Sequence, residues 1–127
     1  MLSQRIVVVD DERSVRSGLT NLLRSEGYQT EAFESAESLL GDEAAMANAA
    51  LFIIDVQLKG MSGFELFIQL TRRIKHPPGI FISGNGDENM LRYAINLGAV
   101  AFLPKPLDIY TLFEHIRQQF SSKAARP

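Results

Sequence analysis

Leu51-Phe52-Ile53-Ile54-Asp55 is an apolar run of strand length that ends on a carboxylate, and the turn-rich segment Lys59-Gly60-Met61-Ser62-Gly63 follows soon after it. An apolar run of this kind, with helical patterns on either side, predicts a strand that is buried on both faces of a parallel sheet. Asp55 then lies at the carboxyl edge of that sheet, where open α/β folds bind their ligands. We expect Asp55 to be the residue that is chemically modified there.

The composition is that of one soluble globular domain. The chain has 127 residues, of which 46% are apolar and 22% are charged, and this length suits a single core. No apolar run approaches the ~20 residues of a membrane span, and the first residues lack the pattern of a signal peptide. We therefore expect a cytoplasmic protein that does not associate with a membrane.

Cysteine content and charge exclude several classes of function. The chain has no cysteine, which rules out disulfides, thiolate zinc sites and cysteine nucleophiles. The net charge is -2 and the two signs are interspersed along the chain. Because no block of lysine and arginine marks a phosphate-binding surface, we expect no direct binding of nucleic acid by this chain.

The strand-then-helix pattern occurs five times along the chain. The predicted strands are residues 5–9, 28–33, 51–55, 79–83 and 100–103. Apolar residues at helical spacing follow each strand; the helix after the second strand starts at the N-cap Ser35 and loses its pattern over residues 41–50. This alternation predicts one doubly wound α/β domain, a parallel sheet with helices on both faces. We place the domain at residues 1–120 and a flexible tail or the start of a linker at residues 121–127.

Reactive side chains close four of the predicted strands. They are Asp10 and Asp11 after the first strand, Asp55, Ser83 and Lys105. Crowded carboxylates repel one another, and a hard divalent cation with oxygen ligands relieves that repulsion. Mg²⁺ is favoured over Ca²⁺ because few protein ligands are present. These groups suit phosphoryl transfer, with a carboxylate nucleophile at Asp55, a metal at the acidic pair, and Lys105 and Ser83 on the phosphoryl oxygens.

The sequence resembles the receiver domain of two-component response regulators over essentially its whole length. The residues that carry the resemblance are Val9-Asp10-Asp11-Glu12, Asp55 with Gly63 eight residues later, Ser83-Gly84, and Phe102-Leu103-Pro104-Lys105-Pro106. The resemblance implies a flavodoxin-like (βα)5 fold with the strand order 2-1-3-4-5. It also implies that Asp55 is the phosphoacceptor, that Ser83 and Phe102 form a switch, and that the backbone carbonyl of Gln57 joins the acids as a metal ligand.

The function implied by this resemblance is a phosphorylation-dependent signalling switch rather than an enzyme with a separate substrate. A sensor histidine kinase would donate a phosphoryl group to Asp55 with Mg²⁺, and the partner-binding face would change shape. The implied partners are the kinase, an output domain or effector protein, and a second copy in a phosphorylation-dependent homodimer. Residues 32–37 and 82–87 resemble receivers that precede a helix-turn-helix output domain. One departure is Lys59, which stands where many receivers have proline.

Two other functions remain open at this point. The first is a binding module that keeps the receiver fold but acts without phosphorylation. The second is a phosphohydrolase with an aspartyl nucleophile. Enzymes of that second kind place an acid two residues after the nucleophile, whereas this chain has Gln57 at that position.

Overall fold

The sheet has the predicted topology. The computed structural model describes residues 4–125 of the chain and the side chains of residues 4–121. Its five strands are all parallel and lie in the order β2-β1-β3-β4-β5. They are β1 (Arg5–Val9), β2 (Gln29–Phe33), β3 (Leu51–Asp55), β4 (Gly79–Ser83) and β5 (Ala101–Pro104). The predicted flavodoxin-like α/β class and the strand order 2-1-3-4-5 are confirmed.

The helices connect these strands in chain order. Within residues 4–125 they are α1 (Arg13–Ser25), α2 (Ala36–Leu40), α3 (Glu43–Asn48), α4 (Gly63–Arg73), α5 (Glu88–Leu97) and α6 (Ile109–Ala125). The Ser35 side chain accepts a hydrogen bond from Ser38 N and caps α2, as predicted. Gly98 follows α5 with a φ of 102°, a left-handed conformation that glycine adopts at little cost.

The segment between β2 and β3 differs from the single helix that we predicted. It contains two short helices, because α2 ends at Leu40 and a new helix, α3, begins after Asp42. Asp42 Oδ1 accepts a hydrogen bond from Ala45 N at 3.0 Å and so caps α3. An N-cap side chain stabilises the first turn of a helix, so Asp42 allows a second helix to begin within this weakly patterned, alanine-rich stretch.

Apolar side chains cover both faces of the sheet. All five residues of β3 and all five of β4 are buried. One core cluster packs α1 and α6 against one face, and a second packs α2, α3, α4 and α5 against the other. Since helices cover both faces, the polar residues that close the strands lie at the carboxyl edge of the sheet, where open α/β folds bind their ligands.

The last helix is longer than the sequence indicates. α6 continues to Ala125, beyond the predicted end of the domain at residue 120, and residues 126 and 127 lie outside the described part of the chain. The division into a domain of residues 1–120 and a tail or linker of residues 121–127 stays a prediction. Among residues 4–125, no helix combines the length and the hydropathy that crossing a bilayer requires.

Candidate functional site

Strand register brings the predicted site residues to one edge of the sheet. Val9 pairs with Ile54, Asp55 with Ile82, and Ser83 with Pro104. The backbone continues this alignment past the strands, because Asp10 N donates to Phe33 O at 3.1 Å and Lys105 N donates to Ser83 O at 2.9 Å. The carboxyl ends of four strands are therefore level with one another.

Three carboxylates meet at this edge. One oxygen each from Asp10, Asp11 and Asp55 lies within 4.8 Å of the others. Asp10 is fully buried and Asp55 is 2% exposed, while Asp11 is partly exposed. Backbone amides hold the two buried groups in place, since Glu12 N donates to Asp10 Oδ1 at 2.8 Å and Gln57 N donates to Asp55 Oδ1 at 3.1 Å. The sequence predicted this cluster correctly as a group of neighbours.

Lys105 is the cation at the centre of the cluster. Its Nζ atom lies 3.1 Å from Asp10 Oδ2, 3.2 Å from Asp55 Oδ2 and 3.0 Å from Glu12 Oε1. Burial alone would lower the pKa of Lys105, but the hydrogen bond to Glu12, the close contact with Asp10 and the charges of the buried acids outweigh burial and raise its pKa above the ordinary value. The ammonium therefore stays charged throughout the neutral range. Sequence reasoning gave Glu12 no role, although its place directly after the acidic pair was a signal.

Asp10 carries the strongest indication of a cation site. Burial raises the pKa of Asp10, and the hydrogen bond from Glu12 N together with the ion pair with Lys105 offsets that rise only in part. Within the described residues, Asp10 Oδ2 is buried and has no hydrogen bond of good geometry, although it lies within ion-pair distance of Lys105. A buried oxygen that is incompletely satisfied, beside two further carboxylates, fits a hard cation such as Mg²⁺.

Ser83 is held by two hydrogen bonds. The residue is 1% exposed, its hydroxyl donates to Gln57 Oε1 at 3.1 Å, and it accepts from Asn85 N at 3.2 Å. The resemblance to receiver domains implies that the backbone carbonyl of Gln57 is a metal ligand, and that role stays a prediction. The bond between the Gln57 side chain and Ser83 was missed, because no sequence pattern marks a contact between a loop side chain and a side chain at the end of a strand.

Phe102 lies on the same face of the sheet as Ser83. It pairs in register with Phe81, two residues before Ser83 on β4. The side chain is partly buried and packs against the core cluster that contains Phe81. The two residues of the predicted switch are thus diagonal neighbours on adjacent strands.

Two carboxylates hold the loop that follows Asp55. Lys59 N donates to Asp11 Oδ2 at 3.1 Å, and Met61 N donates to Glu37 Oε2 at 3.0 Å. The second bond lowers the pKa of Glu37. A proline at position 59 has no N–H, so the bond to Asp11 exists because this chain has lysine where many receivers have proline.

Comparison with known proteins agrees with this geometry. Residues 6–117 match the family described as "Response regulator receiver domain". Nodulation protein W of Bradyrhizobium diazoefficiens is 43% identical over 101 residues, which are 80% of this chain and 44% of that protein. Response regulator protein TodT of Pseudomonas putida is 40% identical over 112 residues, which are 88% of this chain and 49% of that protein.

A solved structure gives the same result in three dimensions. The response regulator StyR is 38% identical and superposes with a TM-score of 0.81, covering 94% of this chain and 60% of that chain. This chain spans about half the length of the curated relatives that it matches. Because the family match covers most of the chain and the relatives share more than a third of its sequence, the chain belongs to the receiver domain family of two-component response regulators.

Proposed function

We propose that this receiver domain is a phosphorylation-dependent switch in which Asp55 accepts a phosphoryl group from a sensor histidine kinase. The observation that carries the proposal is the contact of the Lys105 ammonium with two buried carboxylates, 3.1 Å from Asp10 and 3.2 Å from Asp55. A nucleophile, a permanent cation and further oxygen ligands in one place are what phosphoryl transfer requires. No separate substrate is needed, so the chain acts as a signalling protein.

Phosphoryl transfer at this site makes one bond and breaks one. A carboxylate oxygen of Asp55 bonds to phosphorus, the bond from phosphorus to the kinase's histidine nitrogen breaks, and the imidazole keeps the electron pair. Lys105 neutralises charge on the phosphoryl oxygens without moving far, since it already contacts Asp55. Mg²⁺ held by Asp10, Asp11, Asp55 and the Gln57 carbonyl would add positive charge there.

Ser83 carries the response away from the phosphoryl group. To donate to a phosphoryl oxygen, its hydroxyl gives up the bond to Gln57 Oε1 and moves toward Asp55. Phe102 then turns into the space that Ser83 leaves. The face formed by α5, β5 and α6 changes shape. Its helices carry the exposed apolar residues Leu91, Ile95 and Tyr110, which are suitable for partner contacts.

The partners follow from the same proposal. The relatives are about twice as long as this chain, so the output is a further domain of a longer regulator or a separate effector. The exposed apolar face also suits a phosphorylation-dependent homodimer. We propose that phosphoryl transfer from the kinase takes place in the cytoplasm. Any binding of DNA is assigned to the output domain rather than to the receiver. Water attack on the phosphorus of the phosphorylated Asp55 releases phosphate and resets the switch.

The proposal is tested by intact mass spectrometry after incubation with acetyl phosphate, with and without Mg²⁺. One added phosphoryl group is expected on the native chain with Mg²⁺ and none on Asp55→Asn. Asp87→Asn is the matched control, because it removes one negative charge while asparagine can still cap α5 as Asp87 does. Undiminished labelling of Asp55→Asn would overturn the assignment.

The same samples separate the two alternative functions. Mg²⁺ binding without labelling, and without a structural response to beryllofluoride as a stable phosphoryl mimic, would favour a binding module that acts without phosphorylation. Sustained turnover of p-nitrophenyl phosphate would favour a phosphohydrolase. The binding module predicts that the NMR resonances of the Phe102 ring do not change when beryllofluoride is added. The phosphohydrolase predicts more moles of p-nitrophenol than moles of protein.

A further inference from the structure

The ring of Phe102 lies against a glycine in the loop between β4 and α5. A Cβ atom built on Gly86 would lie 2.5 Å from Cε1 and 2.6 Å from Cζ of Phe102. Real Cβ atoms essentially never approach another carbon this closely, so the ring and a side chain at position 86 exclude each other. The half-buried position of Phe102 in this structure therefore depends on the absence of a side chain at residue 86.

The other loop glycine lacks this relationship. A Cβ atom on Gly84 would meet nothing within 4 Å. Both glycines are exposed, and neither has the positive φ that disfavours other residues. Alanine is thus acceptable to the backbone at both positions, and the two differ only in what the new methyl group touches.

A ring displaced from Gly86 has two directions to take. Movement into solvent would expose apolar surface that the ring now buries against its core cluster, and exposing apolar surface to water is unfavourable. Movement toward the interior brings the ring to Ser83, its diagonal neighbour on β4. That path requires Ser83 to leave its present place, and one of the two bonds holding Ser83 goes to the exposed Gln57 side chain, which water can replace.

We propose that Gly86 is the positioning residue for Phe102: it accommodates the aromatic ring in its resting position, and a side chain at position 86 drives the ring inward toward the phosphorylated state. This inference rests on the proposed function, in which Phe102 moves when Ser83 does. A ligand that favours the inward state binds more tightly when that state is already populated. Gly86→Ala is therefore expected to bind a phosphoryl mimic more tightly than the native chain.

The test compares Gly86→Ala with Gly84→Ala and the native protein. Phenylalanine labelled with ¹³C in the ring reports on all eight phenylalanines, and the Phe102 resonance is assigned from its absence in Phe102→Leu. Broadening of that resonance by a soluble gadolinium chelate measures the exposure of the ring. The apparent Kd of beryllofluoride with Mg²⁺ measures the coupling to the site.

We expect the Phe102 resonance to be broadened less by the chelate in Gly86→Ala than in Gly84→Ala. We also expect the beryllofluoride Kd of Gly86→Ala to be on the order of fivefold lower than that of Gly84→Ala. Equal broadening in the two variants, or greater broadening in Gly86→Ala, would overturn the inference. So would a buried ring with an unchanged Kd. If beryllofluoride fails to bind even the native protein, the proposed function fails, and reduced broadening in Gly86→Ala would still support the steric role of Gly86.

Discussion

The Nζ atom of Lys105 lies 3.2 Å from Oδ2 of Asp55, although the two residues are 50 positions apart in the sequence. The same atom contacts the buried carboxylate of Asp10. Lys105 therefore supplies the positive charge that the carboxylates need before any metal ion binds. If Asp55 is the phosphoacceptor that we propose, the lysine is both its partner and a competitor of the proposed Mg²⁺, and the two roles have different consequences.

Replacing Lys105 by methionine should separate these roles. Without the ammonium, the three carboxylates attract Mg²⁺ more strongly, and we expect its affinity to rise on the order of tenfold, or about 1.4 kcal/mol. The rate of labelling by acetyl phosphate should fall about 10²-fold or more, because a charge that stabilises the transition state is lost. Calorimetric Mg²⁺ titration and timed mass spectra measure the two effects.

Lys105→Arg is the matched control, since it keeps the positive charge and should keep the lower Mg²⁺ affinity. The raised pKa of Lys105 means that the native ammonium is charged at every pH below the ordinary lysine value of about 10.4. The difference in Mg²⁺ affinity between the native chain and Lys105→Met should therefore persist from pH 7 to pH 9. A difference that disappeared in this range would contradict the assignment.

Asp10→Asn should stabilise the metal-free protein at neutral pH. Burial raises the pKa of Asp10, so the folded state binds its proton more tightly than the unfolded state does. Stability from this group is therefore lost as pH rises from the ordinary value of 3.8 through the raised pKa. Removing the charge should raise the free energy of unfolding by on the order of 1 kcal/mol at pH 7. Urea unfolding without divalent ions measures this change.

The gain from Asp10→Asn should shrink as pH falls and approach zero only well below 3.8, where Asp10 is protonated in both states. Mg²⁺ should stabilise the native chain but much less the variant, which reverses their order at high Mg²⁺ concentration. Asp87→Asn should show neither effect. A destabilised Asp10→Asn at pH 7 without metal would indicate that the ion pair with Lys105 outweighs the cost of burying the carboxylate.

Gln57→Leu should strengthen the binding of a phosphoryl mimic. The substitution removes the acceptor of the Ser83 hydroxyl while it keeps a side chain of similar size. Reorienting Ser83 then no longer costs a hydrogen bond with a net worth of about 0.5–1.5 kcal/mol. We expect beryllofluoride to bind roughly threefold to tenfold more tightly, as followed by NMR titration. Equal or weaker binding would show that the bond does not restrain Ser83.

Gly63→Ala should destabilise the whole domain. A Cβ atom at this first residue of α4 would overlap the carbonyl oxygen of Asp55 and lie 2.9 Å from both the Asp55 carbonyl carbon and Ile54 Cγ2. The clash involves backbone of the central strand, which cannot rotate away, so we expect a loss of about 1–3 kcal/mol in thermal unfolding. Gly84→Ala, with open space around its methyl group, should stay within about 0.5 kcal/mol of the native chain.

The sheet and the cluster of acids could be predicted because both follow from strong and local signals. β3 is an uninterrupted apolar run that ends on Asp55, and burial on both faces explains it fully. Once the strands are parallel, their carboxyl ends share one edge, and Asp10, Ser83 and Lys105 become neighbours without further information. The structure brings these residues together as expected.

The remaining features depend on contacts that leave no periodic signal. The division of one predicted helix into α2 and α3 depends on the cap at Asp42. The bond from Ser83 to Gln57 and the packing of Phe102 on Gly86 join residues of different loops or strands. The residue types alone allow many such pairings, and only the folded backbone selects one of them.

Locating the phosphoryl group chemically tests the central claim most directly. An acyl phosphate on an aspartate is reduced by borohydride to homoserine, and peptide mass spectrometry then identifies the modified position. After incubation with acetyl phosphate and Mg²⁺, we predict homoserine at position 55 and at no other aspartate. Homoserine at position 10 or 11, or a phosphoryl group that stays on the protein after borohydride treatment, would contradict Asp55 as the phosphoacceptor.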